Sequence, residues 1–370
     1  MLVRVQGAEQ LDQQIYFEYD NESTPLGKGG MGTVYLGRCV SEVNGAFTPV
    51  AIKAIANNSE DLMKRAIQEA SVQIAHNNLM RMWGFVPNME WDSYTQTQVA
   101  RYYVVMEYLE GVNLDAVLEG TITTKSGDVV PLAQGFLSKY KADRIGATID
   151  IMQDILVGVA ELHNNEYVHR DIDPSNAMLT SMGHVKVIDF GISKCMKVDA
   201  NGLMHKLTSY GTIMGKMDYA APEVVMGYTD KHDYSTDVYS LGIMLYQLSM
   251  GELPFVGDSQ YVRDAQVKMP VPVDNIPHWG LSELVRKATE KEQINRYQNA
   301  QEMLDDFLRL KDLSESPVPV KSGKKSKKKP SRLTSPTVEE EQVVAVPAWL
   351  WATVPIVGVA LGVIVGLFIF

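Results

Sequence analysis

The sequence predicts an α+β protein carrying one C-terminal transmembrane helix, on three observations. Glycine-punctuated, β-branched runs between residues 26 and 55 read as paired strands. Apolar residues at Ile145, Ile149, Met152, Ile155, Val159 and Leu162 keep the 3–4 spacing of a helix with a buried stripe. The last 24 residues, Pro347 to Phe370, carry no charge. Across 370 residues the chain is 45% hydrophobic and 21% charged, with mean hydropathy −0.10. That excludes a wholly disordered chain and a polytopic membrane protein.

The net charge of −11 is unevenly spread. From Lys321 onward there are seven basic and three acidic residues, which leaves 27 basic and 42 acidic in the first 320. So acidic a body argues against a nucleic-acid partner. Cys39 and Cys195 lie far apart, without the spacing of a disulfide framework or zinc site, so the body reads as a reduced, cytosolic domain. Met1 to Gln14 alternates apolar with polar and acidic residues and lacks the apolar core of a signal peptide.

The first chemical signal is Leu26-Gly27-Lys28-Gly29-Gly30-Met31-Gly32-Thr33-Val34-Tyr35, a GxGxxG run. Such glycines also mark ordinary turns and dinucleotide folds. A dinucleotide fold would continue into a helix, but here Thr33 to Gly37 and Val50 to Ile55 read as strand, turn, strand. Glycines that let backbone N–H groups approach phosphate, with Lys53 on the following strand, make a different device: a nucleotide lid. A helical stretch from Glu60 to His76 follows, in which Glu69 is placed to pair with Lys53. The alternative for Glu69 is a solvated helix face. Tyr102 to Met106 alternate as a strand leading into Glu107-Tyr108-Leu109-Glu110-Gly111. The long helix of the stripe runs into Tyr167-Val168-His169-Arg170-Asp171-Ile172-Asp173-Pro174-Ser175-Asn176. Val185 to Gly191 and Ala221-Pro222-Glu223 come next, then Asp237-Val238-Tyr239-Ser240-Leu241-Gly242 and Arg296.

In this order the motifs resemble those of the eukaryotic-like (Hanks-type) Ser/Thr protein kinases, bacterial membrane-bound members in particular, over roughly residues 16–312. Small-molecule kinases of related fold share the His-x-Asp and Asp-x-Gly parts, but not the later substrate-lobe elements. The resemblance implies a bilobal fold: a small β-rich lobe over about 16–108 and a larger helical one over about 109–312. It implies ATP and Mg²⁺, with Mn²⁺ as the alternative ion, and protein substrates. Gly27, Lys28, Gly29, Gly30, Met31, Gly32 and Thr33 would fold over the phosphates. Leu26, Val34 and Ala51 would enclose the adenine, with Met106 behind it and the backbone of Glu107 and Leu109 at its edge. Lys53, oriented by Glu69, would hold the α- and β-phosphates. Asn176 and Asp189 offer the oxygen ligands a hard cation needs. Asp171 would take the acceptor hydroxyl's proton. Glu223 and Arg296 would form a buried structural pair, and Asp237 would cap backbone around the catalytic loop.

Two positions depart from the family pattern. Where a Lys usually stands two residues after the catalytic Asp, this chain has Asp173. Where Gly-Thr-x-x-Tyr precedes Ala-Pro-Glu, it has Gly215-Lys216-Met217-Asp218-Tyr219. The changes look reciprocal, so Lys216 is expected to pair with Asp173 and to supply the missing charge at the γ-phosphate. Arg170 before the catalytic Asp implies a phosphate-organised activation loop, with Thr208, Ser209, Tyr210 and Thr212 as its clustered hydroxyls; the alternative is a mobile loop whose hydroxyls are simply solvated. Self-association for trans-autophosphorylation would follow. The segment Glu119 to Arg144 holds a turn signal, Lys125-Ser126-Gly127-Asp128, and receives no function.

Residues 314–346, rich in Ser, Pro and Lys, read as a disordered tether. Residues 347–370 are long enough to cross a ~30 Å hydrocarbon core, with Trp349 and Trp351 at headgroup level. The alternative is a buried core helix. Lys321, Lys324, Lys325, Lys327, Lys328, Lys329 and Arg332 orient the span with the body in the cytosol. They either touch anionic lipid, at about 1 kcal/mol per charge, or act as a topology signal alone. The expectation is a tail-anchored, single-pass membrane protein whose cytoplasmic kinase domain phosphorylates protein Ser/Thr hydroxyls, its own activation loop included. The opposing reading is a pseudokinase or nucleotide-binding scaffold. A tyrosine kinase fits less well, because the catalytic loop lacks the Ala/Arg-rich form of that group.

Overall fold

The computed structural model describes residues 1–29, 31–56, 60–92, 95–190, 194–195 and 216–315. Alternation of apolar and polar residues builds the first half into one antiparallel sheet. Its strands are β1 (Leu2–Val5), β2 (Ile15–Asp20), β3 (Gly27–Gly29), β4 (Gly32–Ser41), β5 (Phe47–Ile55), β6 (Met82–Asp92) and β7 (Thr97–Glu107). They lie in the order β1-β2-β4-β5-β7-β6, with β3 paired to β4. Helix α1 (Ala8–Asp12) joins β1 to β2, and α2 (Glu60–Ser71) joins β5 to β6. Successive strand residues face opposite ways. Val50, Ile52 and Ala54 therefore join one apolar cluster with Phe17, Tyr103 and Val105. Ala51 and Ile55 join the main core with Val104 and Met106, and Lys53 shares their face of β5. The sheet extends upstream of residue 16, because β1 pairs with β2 from Leu2↔Asp20 to Val5↔Phe17.

Two expected boundaries move. Helix α2 stops at Ser71, short of His76: Val72 N–H turns back to Glu69 O, and the β-branched Val72 and Ile74 enter the core. At the other end the last helix runs to Glu315, so the first two residues of the 314–346 segment are helical.

After β7 the chain is mainly helical. It comprises β8 (Gly111–Asn113), α3 (Leu114–Leu118), α4 (Pro131–Ala142), α5 (Arg144–Asn164), β9 (Tyr167–Val168), β10 (Ala177–Thr180), β11 (Val185–Val187) and β12 (Lys194–Cys195). The helices α6 (Pro222–Val225), α7 (Tyr234–Met250), α8 (Ser259–Lys268), α9 (Trp279–Ala288) and α10 (Ala300–Glu315) complete it. The stripe on α5 is wider than its spacing suggested. Met152, Ile155, Val159 and Leu162 are buried, and so are Ile151 and Leu156, while Ile145 and Ile149 are only partly covered. Helix α7 is buried along nearly its whole length, N-capped by Asp233 and ended by Gly251 at φ +83°. It is the post on which the 169–176 loop is hung. β8, β10 and β11 form a small antiparallel sheet in which β10 carries the end of the 169–176 loop, while β9, paired with β12, carries its start. The result is a β-rich small lobe followed by a helical large lobe.

Among the described residues no helix is long and apolar enough to cross a membrane. The expected span, 347–370, lies outside them.

Candidate active site

A cavity of about 570 Å³ opens between the sheet and the small β8–β10–β11 unit. Leu26, Val34 and Ala51 line it from the sheet, Met106, Glu107 and Leu109 from the end of β7, and Met178 and Ile188 from below. Met178 and Ile188 were missed from sequence. Their signal was position: Met178 follows Asn176 by two residues on β10, and Ile188 immediately precedes Asp189. The lid above is the β3–β4 hairpin, with Gly27↔Val34 and Lys28↔Thr33 in register. Gly32 at φ +157° needs to be glycine, because a Cβ there would sit 2.0 Å from Ala54 O. Met31 N–H and C=O belong to the same bend, its O accepting from Ala56 N–H at 3.0 Å. Gly30 lies outside the described residues.

Lys53 and Glu69 meet under this lid. The ammonium lies 3.0 and 2.9 Å from the two carboxylate oxygens, with Glu69 only 1% exposed. A solvated helix face is thereby excluded for Glu69. Burial pulls the Lys53 ammonium down, but the Glu69 and Asp189 carboxylates more than reverse it and hold it above its ordinary value. Lys53 therefore stays charged and ready for an anion.

The 169–176 loop is fixed from beneath. Asp237 on α7 accepts the backbone N–H groups of His169 and Arg170, each at 2.7 Å, and a third bond from His163 Nε2 at 2.9 Å. Burial opposes its charge, yet these donors keep the Asp237 carboxyl below its ordinary value. His169 Nε2 lies 3.0 Å from Ile188 O, which can only accept, so that nitrogen carries the proton. Nδ1 then accepts from Asp171 N–H at 3.3 Å. Phe190 packs edge-on to His169 and is fully buried. Arg170 and Asp189 take left-handed backbone, φ +68° and +64°. Such conformations cost free energy and persist where the surroundings impose them.

These constraints bring Asp171, Asn176 and Asp189 together. Asn176 Nδ2 donates to Asp171 O at 2.8 Å, and Ile188 N–H donates to Asn176 O at 2.9 Å, tying the residue before Asp189 to the loop. Burial, with Asp173 and Asp189 nearby, pushes the Asp171 carboxyl up. Asn176 spends its amide N–H on Asp171, which leaves its carbonyl oxygen as the ligand atom. With the Asp189 carboxylate this is an all-oxygen donor set, and it fits Mg²⁺.

Asp173 is not bare. It is 2% exposed and caps the short turn Pro174–Asn176: its Oδ1 accepts from Ser175 N–H at 2.6 Å and Ser175 Oγ at 2.5 Å. Lys216 Nζ lies 3.0 Å from the same oxygen, 2.9 Å from Ser175 Oγ and 3.8 Å from Asp115. The expected Lys216–Asp173 contact is formed, and Ser175 is a third member that the sequence did not announce. The Lys216 side chain remains 46% exposed, on the open side of the group.

Away from the cleft, Arg296 makes a two-pronged pair with Glu223 at 2.9 Å on each prong. Thr208, Ser209, Tyr210 and Thr212 lie outside the described residues, as does Gly191.

The protein kinase domain model matches residues 20–312. Among curated proteins, "Probable serine/threonine-protein kinase CPE1738" of Clostridium perfringens is 33% identical over 293 residues, 77% of this chain and 37% of that protein. The serine/threonine-protein kinase PrkC of Bacillus subtilis is 29% identical over 294 residues, 76% of this chain and 39% of its own length. The serine/threonine-protein kinase PknB of Mycobacterium tuberculosis (strain H37Rv) is 34% identical over 220 residues, 56% of this chain and 30% of its own. The chain thus spans well under half the length of these relatives.

Proposed function

Because the chain belongs to the protein kinase family, we propose that it is a Ser/Thr protein kinase moving the γ-phosphoryl group of ATP to hydroxyls of protein substrates. The observation that carries this is the buried Lys53–Glu69 pair standing beside Asp189. A phosphate-holding cation is oriented while the metal-binding carboxylate is near, which a scaffold without chemistry has no need to maintain. Phosphoryl transfer runs through a loose transition state, so the site's work is positioning and neutralising charge. Lys53 would hold the α- and β-phosphates. Asn176 and Asp189 would hold Mg²⁺, which when bound neutralises charge between the phosphates. Asp171 would orient the acceptor hydroxyl and take its proton as the new P–O bond forms and the bond to ADP breaks. Its raised carboxyl makes it a better proton acceptor than an ordinary aspartate once ionised.

In the same proposal the kinase domain faces the cytosol, tethered by 316–346 and anchored by 347–370, with the basic run near anionic lipid. It acts on its own activation loop through self-association. This part rests on the sequence: the uncharged span, the basic cluster before it and the hydroxyls between Thr208 and Thr212.

The test is incubation of the full chain with Mg²⁺ and γ-labelled ATP, with mapping of labelled residues and fractionation of membranes. Label on Ser and Thr is expected, with the protein in the membrane fraction. Nucleotide binding without any transfer would favour the pseudokinase reading. A soluble, active protein would remove the anchor alone.

A further inference from the structure

Between α3 and α4 the chain forms a small hairpin. Thr123 pairs with Val129, Thr124 N–H donates to Asp128 O at 2.8 Å, and Val130 N–H donates to Ile122 O at 2.8 Å. Its tip is braced from within. Thr124 Oγ1 and Ser126 Oγ lie 2.7 Å apart, Ser126 Oγ donates to Asp128 Oδ2 at 2.7 Å, and Gly127 turns the chain at φ +93°. At its foot Val130 is fully buried in the main core. The hairpin is therefore a firm projection of the large lobe.

Its tip reaches the nucleotide cavity. Thr124, Lys125 and Ser126 line the same 570 Å³ space as Leu26 and Val34. The Lys125 ammonium donates a hydrogen bond to the backbone carbonyl of Leu26. Leu26 N–H in turn donates to Val34 O at 2.8 Å, so Leu26 is the root from which the glycine-rich hairpin springs. Leu26 precedes the β7–β8 connection in the chain and Lys125 follows it. This hydrogen bond thus ties the lid to the opposite lobe across the outer mouth of the cavity.

We propose that the 120–130 hairpin is a strap over the nucleotide site, with Lys125 a positioning residue that keeps the root of the lid closed on bound nucleotide. This deepens the nucleotide-binding reading and rests on it. Opening the cleft enough to release nucleotide separates Leu26 from Lys125, so release carries the cost of that contact. A single charge-assisted hydrogen bond at an exposed site is modest, and removing it should speed release about three- to tenfold. Affinity should shift through the off-rate.

The experiment is stopped-flow displacement of a fluorescent ADP analogue from the full chain by excess ATP with Mg²⁺, alongside thermal unfolding. Lys125→Met should release the analogue three- to tenfold faster than the parent, with an unchanged unfolding midpoint. Lys125→Arg, which can still donate to the Leu26 carbonyl, should stay within twofold. Equal rates for Lys125→Met and the parent would overturn the strap while leaving the nucleotide site standing. So would Lys125→Arg as fast as Lys125→Met, or faster release that merely follows a lowered midpoint. Failure of the parent chain to bind the analogue would overturn the nucleotide reading, and the strap with it.

Discussion

Arg296–Glu223 in the large lobe and Lys53–Glu69 in the small lobe are both buried ion pairs at 2.9 Å, yet they are furnished differently. Arg296 spends its guanidinium on five fixed acceptors. They are both oxygens of Glu223 and the backbone carbonyls of Ser235, Glu290 and Lys291. Glu223 also accepts from Thr236 Oγ1 at 2.9 Å. Arg296 itself is 2% exposed. The described bonds of Lys53 go to one carboxylate, with 9% of the residue still reaching solvent at the cleft. A rigid fork with every donor engaged suits a scaffold, whereas a point charge beside the Glu69 and Asp189 carboxylates at the edge of the cleft can share its charge with an incoming phosphate. Of these two pairs, the one sealed from solvent fits structure and the one that reaches the cleft fits chemistry.

The contrast breaks most visibly at Arg296. Arg296→Leu leaves Glu223 buried without its partner and should cost about 3–5 kcal/mol in urea unfolding. Lys53→Met should cost clearly less stability, because burial already pushes the Glu69 carboxyl up and a proton can relieve its charge once the ammonium is gone, but should remove most phosphoryl transfer. Equal stability losses would erase the distinction. Asp171→Asn sharpens it from the other side. Loss of the proton acceptor should lower kcat by about a thousandfold, while the affinity for ADP and the unfolding midpoint stay close to those of the parent.

Asp237 belongs with the scaffold, and pH tests that placement. Its folded carboxyl sits below its ordinary value, so its charge stabilises the fold at pH above that ordinary value and the contribution is lost as pH falls through the folded one. Asp237→Asn should therefore cost about 2–3 kcal/mol near neutrality, where two backbone N–H groups and His163 lose a charged acceptor. The gap from the parent should narrow as the buffer is taken into the acid range where the parent's own Asp237 protonates. A gap independent of pH would assign the loss to shape alone.

Much of this was legible in the sequence because the residues concerned are adjacent in it. The lid glycines, the Asp171-to-Asn176 loop and the Asp189 motif each sit within a short run. Period-2 alternation on β5 already implied that Lys53 and Ala51 share a face. What escaped was set by contacts between distant segments. The alternation of Leu2 to Val5 was a strand signal, but nothing local said that its partner was Ile15–Asp20. The end of α2 was misjudged because burial of Val72 and Ile74 outweighed continued helix. Ser175 carried no signal of its own between Pro174 and Asn176; the fold brings Lys216 to it from 41 residues away. The 119–144 segment gave its turn through Gly127, but its tip's partner, Leu26, lies 99 residues upstream.

The smallest effect on transfer is expected at Lys216, where scaffold and chemistry meet. Asp173 behaves like scaffold: buried, capping a turn, holding Ser175. Lys216 behaves like chemistry, half exposed and bonded to Asp173 Oδ1 and Ser175 Oγ on the open side. A lone carboxylate at 173 would repel a triphosphate, but here it serves to aim a cation. If Lys216 supplies the charge that the catalytic loop lacks, Lys216→Ala should lower kcat about ten- to a hundredfold. That is less than a fully enclosed donor would cost, because solvent screens a half-exposed ammonium. Nucleotide affinity should change little. Asp173→Lys alone should also lose activity, since two ammonium groups would then face each other, and the double variant Asp173→Lys with Lys216→Thr should recover part of it. The double-mutant cycle, read in kcat, separates exchange of one charge from two independent losses. Additive losses, or a Lys216→Ala variant as fast as the parent, would leave Asp173 as a turn cap with no part in transfer.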